Sequence, residues 1–133
     1  MKIALDTTVL IDILNGDELT IQKIEHLKKE ATLYTTTVNV YEVLRGVRRL
    51  ERNMDKYMNG LMVLIDNMNL LGFDLESADA SSGIYAELTK KGAKIDETDY
   101  LIAGCCLSKG IYTIVTRNEK HFRKIEGMKV MTY

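Results

Sequence analysis

The chain has 133 residues, 46 % of them apolar and 28 % charged, with no proline and a formal net charge of −1. This is a globular composition, large enough to bury roughly two-thirds of its unfolded surface, and it leaves no room for a disordered tail. The near-zero charge excludes binding to nucleic acid through bulk field alone, so any such binding must use local patches or metal ions.

Taken in order, the chain opens with the apolar run Ile3-Ala4-Leu5, closed by Asp6, Thr7 and Thr8. A short apolar run bounded by polar residues predicts a strand buried on both faces. Ligands of a parallel sheet sit just past the carboxyl ends of its strands, and Asp6 stands at such an end. It could equally cap the helix that follows. Thr8–Leu14 predicts that helix, ended by the turn pair Asn15-Gly16. Asp17 is expected to cap a second helix, with Ile21, Ile24, Leu27 and Ala31 as its apolar stripe. Asp6 and Asp12 interrupt any signal-like opening, and no apolar stretch approaches the roughly 20 residues of a membrane helix. A cytoplasmic protein with no membrane partner is expected.

Leu33–Thr36 is β-prone and predicts the second strand. Thr37 is expected to cap a third helix, with Val38, Tyr41, Val43, Leu44 and Val47 as apolar members. Glu42 lies in this helix, and Arg45, Arg48, Arg49 and Arg52 form a basic face after it, with Arg45 and Arg49 on the side of Glu42. Met54–Met68 has apolar residues at steps of three and four, the period of a helix. Its Met62, Val63 and Leu64 fall outside that stripe. Methionine surfaces adapt to partners, so this helix and the preceding one are expected to form part of a dimer or partner surface.

Leu70–Phe73 predicts a third strand and Leu75–Lys91 a helix ended by Gly92. Asp96-Glu97-Thr98-Asp99 then opens a near-continuously apolar helix, Tyr100–Ser108. That helix contains Cys105 and Cys106, which are adjacent and cannot staple distant segments. With no histidine in metal-ligand spacing they read as packing in a reducing compartment. Tyr112–Val115 predicts a fourth strand with Thr116-Arg117-Asn118 at its end, Glu119–Arg123 a short helix, and Met128–Met131 a last strand. Strands and helices alternate throughout, which predicts one α/β domain over residues 1–133, a three-layer sandwich around a parallel sheet.

Three acids stand out by position. Asp6 ends a strand, Glu42 lies within an otherwise apolar helical stretch, and Asp99 opens a covered helix. Each has an ordinary explanation: a cap for Asp6, an ion pair with Arg45 for Glu42, and a first-turn acid favoured by the helix dipole for Asp99. Considered together, all three fall on one edge of a parallel sheet, where carboxylates raise one another's pKa. A hard divalent cation is the usual compensation, and such an ion takes oxygen ligands and suits phosphodiester hydrolysis. Of the two acids three residues apart, Asp96 follows extended Ile95 where an N-cap belongs, so its carboxylate is expected to take a free amide, while Asp99 is expected in the first turn, pointing back over the strand ends.

The chain resembles the PIN domain and, within it, the VapC-type toxins. The resemblance is carried by Leu5-Asp6-Thr7-Thr8-Val9-Leu10-Ile11, by Thr37-Val38-Asn39-Val40-Tyr41-Glu42-Val43-Leu44-Arg45-Gly46, by Ile95-Asp96-Glu97-Thr98-Asp99-Tyr100-Leu101-Ile102-Ala103-Gly104, and by Ile114-Val115-Thr116-Arg117-Asn118-Glu119-Lys120-His121-Phe122. It implies a Mg²⁺- or Mn²⁺-dependent endoribonuclease with Asp6, Glu42 and Asp99 as the catalytic, metal-holding carboxylates. It also implies a homodimer and a small VapB-like antitoxin that blocks the site. Thr116, Asn118 and Asp96 are supporting candidates. Asn118 departs from the pattern, because many relatives carry an aspartate there, and this leaves a second metal open. Arg45, Arg49 and Arg117 are candidate contacts to RNA phosphate, since the guanidinium fork matches phosphate geometry. His121 is a weak candidate for a general base. The alternatives are a PIN-like domain that binds RNA or a partner without cutting, and an aspartyl-phosphate enzyme. The latter wants Asp-x-Asp after the first strand, where this chain has Asp6-Thr7-Thr8.

Overall fold

The computed structural model describes residues 1–133. Five strands, β1 (Lys2–Leu5), β2 (Thr32–Thr36), β3 (Asn69–Leu71), β4 (Thr113–Val115) and β5 (Lys129–Met131), form one sheet in the order β3-β2-β1-β4-β5. Every pairing is parallel. Seven helices connect them: α1 (Thr7–Leu14), α2 (Glu18–Glu30), α3 (Thr37–Val47), α4 (Met54–Asp66), α5 (Leu75–Lys90), α6 (Glu97–Ser108) and α7 (Glu119–Phe122).

β1 is central because all three of its apolar residues are buried. Side chains alternate along a strand, so Ile3 and Leu5 enter one core and Ala4 the other. The first core gathers Val9, Leu10, Ile24, Leu27, Val43 and Leu61 from α1 to α4. The second gathers Leu88, Tyr100, Ile102, Ala103 and Cys106 from α5 and α6, with Phe122 from α7. Helices thus cover both faces, the expected three layers. Each fully buried Leu or Ile in them contributes about 1.5–3 kcal/mol. Cys106 lies in the second core, where burial pushes its thiol pKa up.

The two helices of the second core approach closely at Gly104, where an added Cβ would lie 2.6 Å from the Ser81 backbone nitrogen. The glycine there is a packing requirement.

Several boundaries differ from the expectation for identifiable reasons. The third strand is Asn69–Leu71, not Leu70–Phe73. Leu71 pairs with Thr36, the last residue of β2, so Gly72 and Phe73 have no strand left to pair with. Thr36, not Thr37, caps α3: its hydroxyl accepts from the Asn39 amide and the Asn39 side chain returns to the Thr36 amide. Thr37 instead accepts from the Phe73 amide at 3.3 Å. Because α3 ends at Val47, Arg48 is its C-cap and Arg49 and Arg52 lie beyond it, so only Arg45 of the four arginines shares a helix with Glu42. Tyr41 points to solvent. Asp17 stands at the N-cap of α2 but its carboxylate takes the Thr20 hydroxyl at 2.8 Å instead of an amide.

Candidate active site

The carboxyl ends of β1 and β4 and the starts of α1 and α6 converge on a cleft of about 390 Å³ with no apolar residue in its lining. Asp6, Glu42, Asp96, Asp99, Arg117 and Asn118 all line it, together with Thr7 and Thr8. Asp6 stands at the N-cap of α1 yet makes no side-chain cap bond. Its Oδ1 accepts from Asn39 Nδ2 at 3.0 Å and its Oδ2 from Thr116 Oγ1 at 2.6 Å. The capping explanation for Asp6 therefore fails.

Glu42 reaches the cleft from the second turn of α3. Thr7 donates to its Oε1, and Thr98 of α6 donates to Oε2 at 2.8 Å. It makes no ion pair with Arg45, which lies instead over the ring of Tyr41, 5.4 Å from its centroid. Asn39 also donates to Thr7 at 3.0 Å. One amide, oriented by the Thr36 cap, thus sets both Asp6 and the threonine that holds Glu42. Partners that orient ligating groups in this way matter nearly as much as the ligands.

Asp99 is buried in the first turn of α6. Its Oδ2 lies 2.6 Å from His121 Nδ1 and accepts from Asn118 Nδ2 at 3.0 Å. Asp96 is at the N-cap of α6 but forms no side-chain cap bond, which overturns the capping role expected for it. Its exposed carboxylate lies 3.9 Å from the same His121 nitrogen. Asp96, Asp99 and His121 each place one ligand atom within 4.8 Å of the others.

Burial pushes the Asp6 carboxyl above its ordinary range, and the charge of Glu42 adds to this, against hydrogen bonds from Thr116, the Thr7 amide and Asn39. Burial also raises Asp99, to about 6, with the charges of Asp6 and Glu42 in the same direction and His121 opposing. The site collects negative charge held by threonine, asparagine and histidine side chains, with no lysine or arginine paired to Asp6, Glu42 or Asp99. Such an oxygen-rich set fits a small hard divalent ion, which would relieve the repulsion.

Arg45 and Arg49 are exposed and stand outside the cleft lining, whereas Arg117 stands within it, paired with Asp12 at 2.9 Å. Thr7, Asn39 and Thr98 were not anticipated as part of the site, and His121 was anticipated only as a base. The spacing Thr36-x-x-Asn39 is a cap-like signal that could have located Asn39. Nothing in the sequence pairs Thr98 with a glutamate 56 positions away.

A profile of the PIN domain matches residues 3–128, and the chain belongs to the PIN domain family. Ribonuclease VapC1 of Methanocaldococcus jannaschii is 32 % identical over 131 residues, covering 97 % of this chain and 86 % of that protein. The tRNA(fMet)-specific endonuclease VapC of Salmonella typhimurium is 28 % identical over 138 residues, covering 98 % and 96 %. Among solved structures, VapBC2 from Rickettsia felis bound to a promoter DNA fragment superimposes with a TM-score of 0.90 at 22 % identity, over 100 % of this chain and 99 % of that one. DNA-bound VapBC from Salmonella typhimurium gives 0.87 at 23 %, over 99 % and 98 %. These likenesses establish the fold, the parallel α/β sandwich expected from the alternating elements.

Proposed function

We propose that the chain is a Mg²⁺- or Mn²⁺-dependent endoribonuclease, the toxin of a toxin–antitoxin pair, acting in the cytoplasm. The observation that carries this reading is the convergence of Asp6, Glu42 and Asp99 on one polar cleft with no lysine or arginine paired to them. The VapC names of its curated relatives point the same way.

In this reading Asp6, Glu42 and Asp99 hold the ion. When bound, it would lower the pKa of a water and offset charge on the scissile phosphate. The protein's own work is orientation. Asn39 and Thr116 fix the two oxygens of Asp6, and Thr7 and Thr98 fix those of Glu42. His121 and Asn118 hold one oxygen of Asp99. Because each donor is already in place, little reorganisation accompanies ion or substrate binding. Asn118 brings an amide in place of a charge, so full occupancy of a second ion would depend on Asp96 and His121.

The partner surface is the apolar groove of about 590 Å³ between α1, α2 and α4, lined by Ile13, Leu14, Tyr57, Val63, Leu64 and Met68. A VapB-like antitoxin would lay an amphipathic helix on it, and a homodimer would present two acidic clefts to RNA. The aspartyl-phosphate alternative has little support, because Thr8 occupies the place of its second aspartate.

The test is direct. The purified chain, freed of any partner, is incubated with a broad cellular RNA pool and Mg²⁺ or Mn²⁺. Cleavage that stops with EDTA is the expected result. Cleavage indifferent to EDTA would rule out the metal mechanism, and no cleavage under any condition would favour the binding-only alternative.

A further inference from the structure

Arg117 is the only cation lining the acidic cleft, and its guanidinium is held from one side. Both of its ion pairs use Nη2, at 2.9 Å from Asp12 and 3.6 Å from Asp17. The ring of Tyr133 lies against the guanidinium, its centroid 4.9 Å from Cζ. The Tyr133 hydroxyl donates at 2.8 Å to the same Asp12 oxygen that receives Nη2. The Arg117 amide donates to Thr8 at 3.1 Å, and Lys23 Nζ donates to the Thr132 carbonyl at 2.6 Å, which ties the segment carrying Tyr133 to α2. Yet the arginine side chain remains 54 % exposed. A guanidinium has five donors in a rigid plane. Here one nitrogen and one face are engaged, while Nη1 and Nε make no hydrogen bond within the protein.

A phosphate approaching this cleft meets carboxylates and, with the chain at a net charge of −1, no attractive bulk field. It needs a local donor to fix its register. We propose that Asp12 and Tyr133 are positioning residues that hold Arg117 in the lining of the acidic cleft, where its free Nη1 donates to a non-bridging oxygen of an RNA phosphate. The proposal rests on the ribonuclease reading. The aspartates hold Nη2 and the tyrosine ring lies against the group through a cation–π contact, so Nη1 is oriented before a phosphate arrives.

Counterion release gives the test. A single-strand phosphate contact contributes about 0.7 to the slope of log K against log salt. The chain carrying Glu42→Gln serves as the non-cleaving parent, and its binding to labelled single-stranded RNA is followed in Mg²⁺ across a KCl series. Adding Arg117→Gln is expected to weaken binding about tenfold and to reduce the slope by about 0.7, and Arg117→Lys to keep the slope with poorer affinity. Tyr133→Ala, with the guanidinium present but untethered, is expected to lower affinity and reduce the slope part of the way. Tyr133→Phe, which keeps the ring and the fold but loses the tether to Asp12, is expected to fall between Tyr133→Ala and the parent. In the cleaving chain these changes raise KM with kcat nearly unchanged. An unchanged slope in Arg117→Gln overturns the phosphate contact. Parent-like slope and affinity in both Tyr133 variants overturn the positioning role. RNA cleavage with unaltered KM in Arg117→Gln would reject this inference while sparing the ribonuclease reading. A parent that binds no RNA, together with an unmodified chain that cuts none, would reject both.

Discussion

The acidic cleft and the apolar groove share a helix, α1, and treat their side chains in opposite ways. At its start, α1 gives Thr7 to the cleft, where Glu42, Asp6 and Asp99 each have defined hydrogen-bond donors. At its end it gives Ile13 and Leu14 to the groove, which Val63 of α4 also lines; Val63 and its neighbour Met62 are both exposed. The first region is over-determined and electrostatically frustrated. The second is loosely specified and apolar. A site for a small hard ion needs its ligands pre-set to within fractions of an ångström, whereas a surface for a helical partner needs shape and adaptable apolar area. The larger cavity is the mostly apolar one, with Glu25, Lys28 and Lys56 also in its lining.

The sharpest way to separate the two regions is to remove a ligand from the cleft. Glu42→Gln keeps the shape of the side chain, and its amide can still accept one of the two threonine hydroxyls. Cleavage is expected to fall by about a thousandfold or more, while thermal stability and partner binding stay near wild type. Retained cleavage in this variant would end the metal-carboxylate reading. Loss of partner binding would show that the two regions are not independent.

The converse change tests the exposed face of α4, which reaches the groove at Val63. Met62 and Val63 are 58 % and 63 % exposed, so replacing both with aspartate leaves the core alone. Assembly with a second copy or an antitoxin is expected to weaken by at least about tenfold, since burying a charge in such an interface is costly, with RNA cleavage by the free chain retained. Leu64 was grouped with these two by sequence. It is partly buried against the core formed by α1 to α4, so Leu64→Asp is expected to lower stability as well and is a poor probe. Unchanged assembly in the double variant would remove α4 from the partner surface.

How far the sequence disclosed each region follows from the range of the interactions. Asp6, Glu42 and Asp99 were legible because a polar group beside an apolar run breaks a short-period pattern. Their holders were not. The bonds from Asn39 to Asp6 and from Thr98 to Glu42 cross 33 and 56 positions, and a threonine inside Asp96-Glu97-Thr98-Asp99 reads locally as nothing more than helix-start polarity. The strands were found from β-prone runs, but β3 was misplaced at its ends because register is decided by the neighbour, β2. The basic face after Glu42 failed because the helical period was extended past Val47, where the chain turns away. Arg117 was a candidate phosphate contact by its type alone, and its contact with the Tyr133 ring, from beyond β5, had no local signal.

A pH series tests the frustration of the cleft itself. Asp99 has an ordinary value of 3.8 and is raised to about 6 in the fold. The folded chain therefore binds this proton more tightly than the unfolded chain does. The resulting stability is fully present below pH 4 and is lost as pH rises through 6. Asp6, raised as well, acts in the same direction. The metal-free chain is expected to melt several degrees lower at pH 7.5 than at pH 5. Mg²⁺ or Mn²⁺ should restore the difference at the higher pH, and ion affinity should weaken as pH falls below 6. Scanning calorimetry with and without the ion checks this, and a metal-free melting temperature that rises from pH 5 to 7.5 would contradict it.

The smallest effect is expected at Asp96. An N-cap aspartate normally takes an amide of the first turn, and losing that bond costs helix stability. Here the carboxylate makes no such bond, is 78 % exposed, and lies 3.9 Å from His121 Nδ1. Asp96→Ala is therefore expected to move the melting temperature by less than about 2 °C, as for an ordinary surface change. Any effect should appear instead in the cleft, where Asp96 stands beside Asp99 and could serve a second ion through His121. A modest loss of Mn²⁺ affinity without loss of stability would place Asp96 with the acids of the cleft. A clear drop in melting temperature with unchanged ion binding would return it to the cap, and would show that α6 rearranges in solution to use its carboxylate.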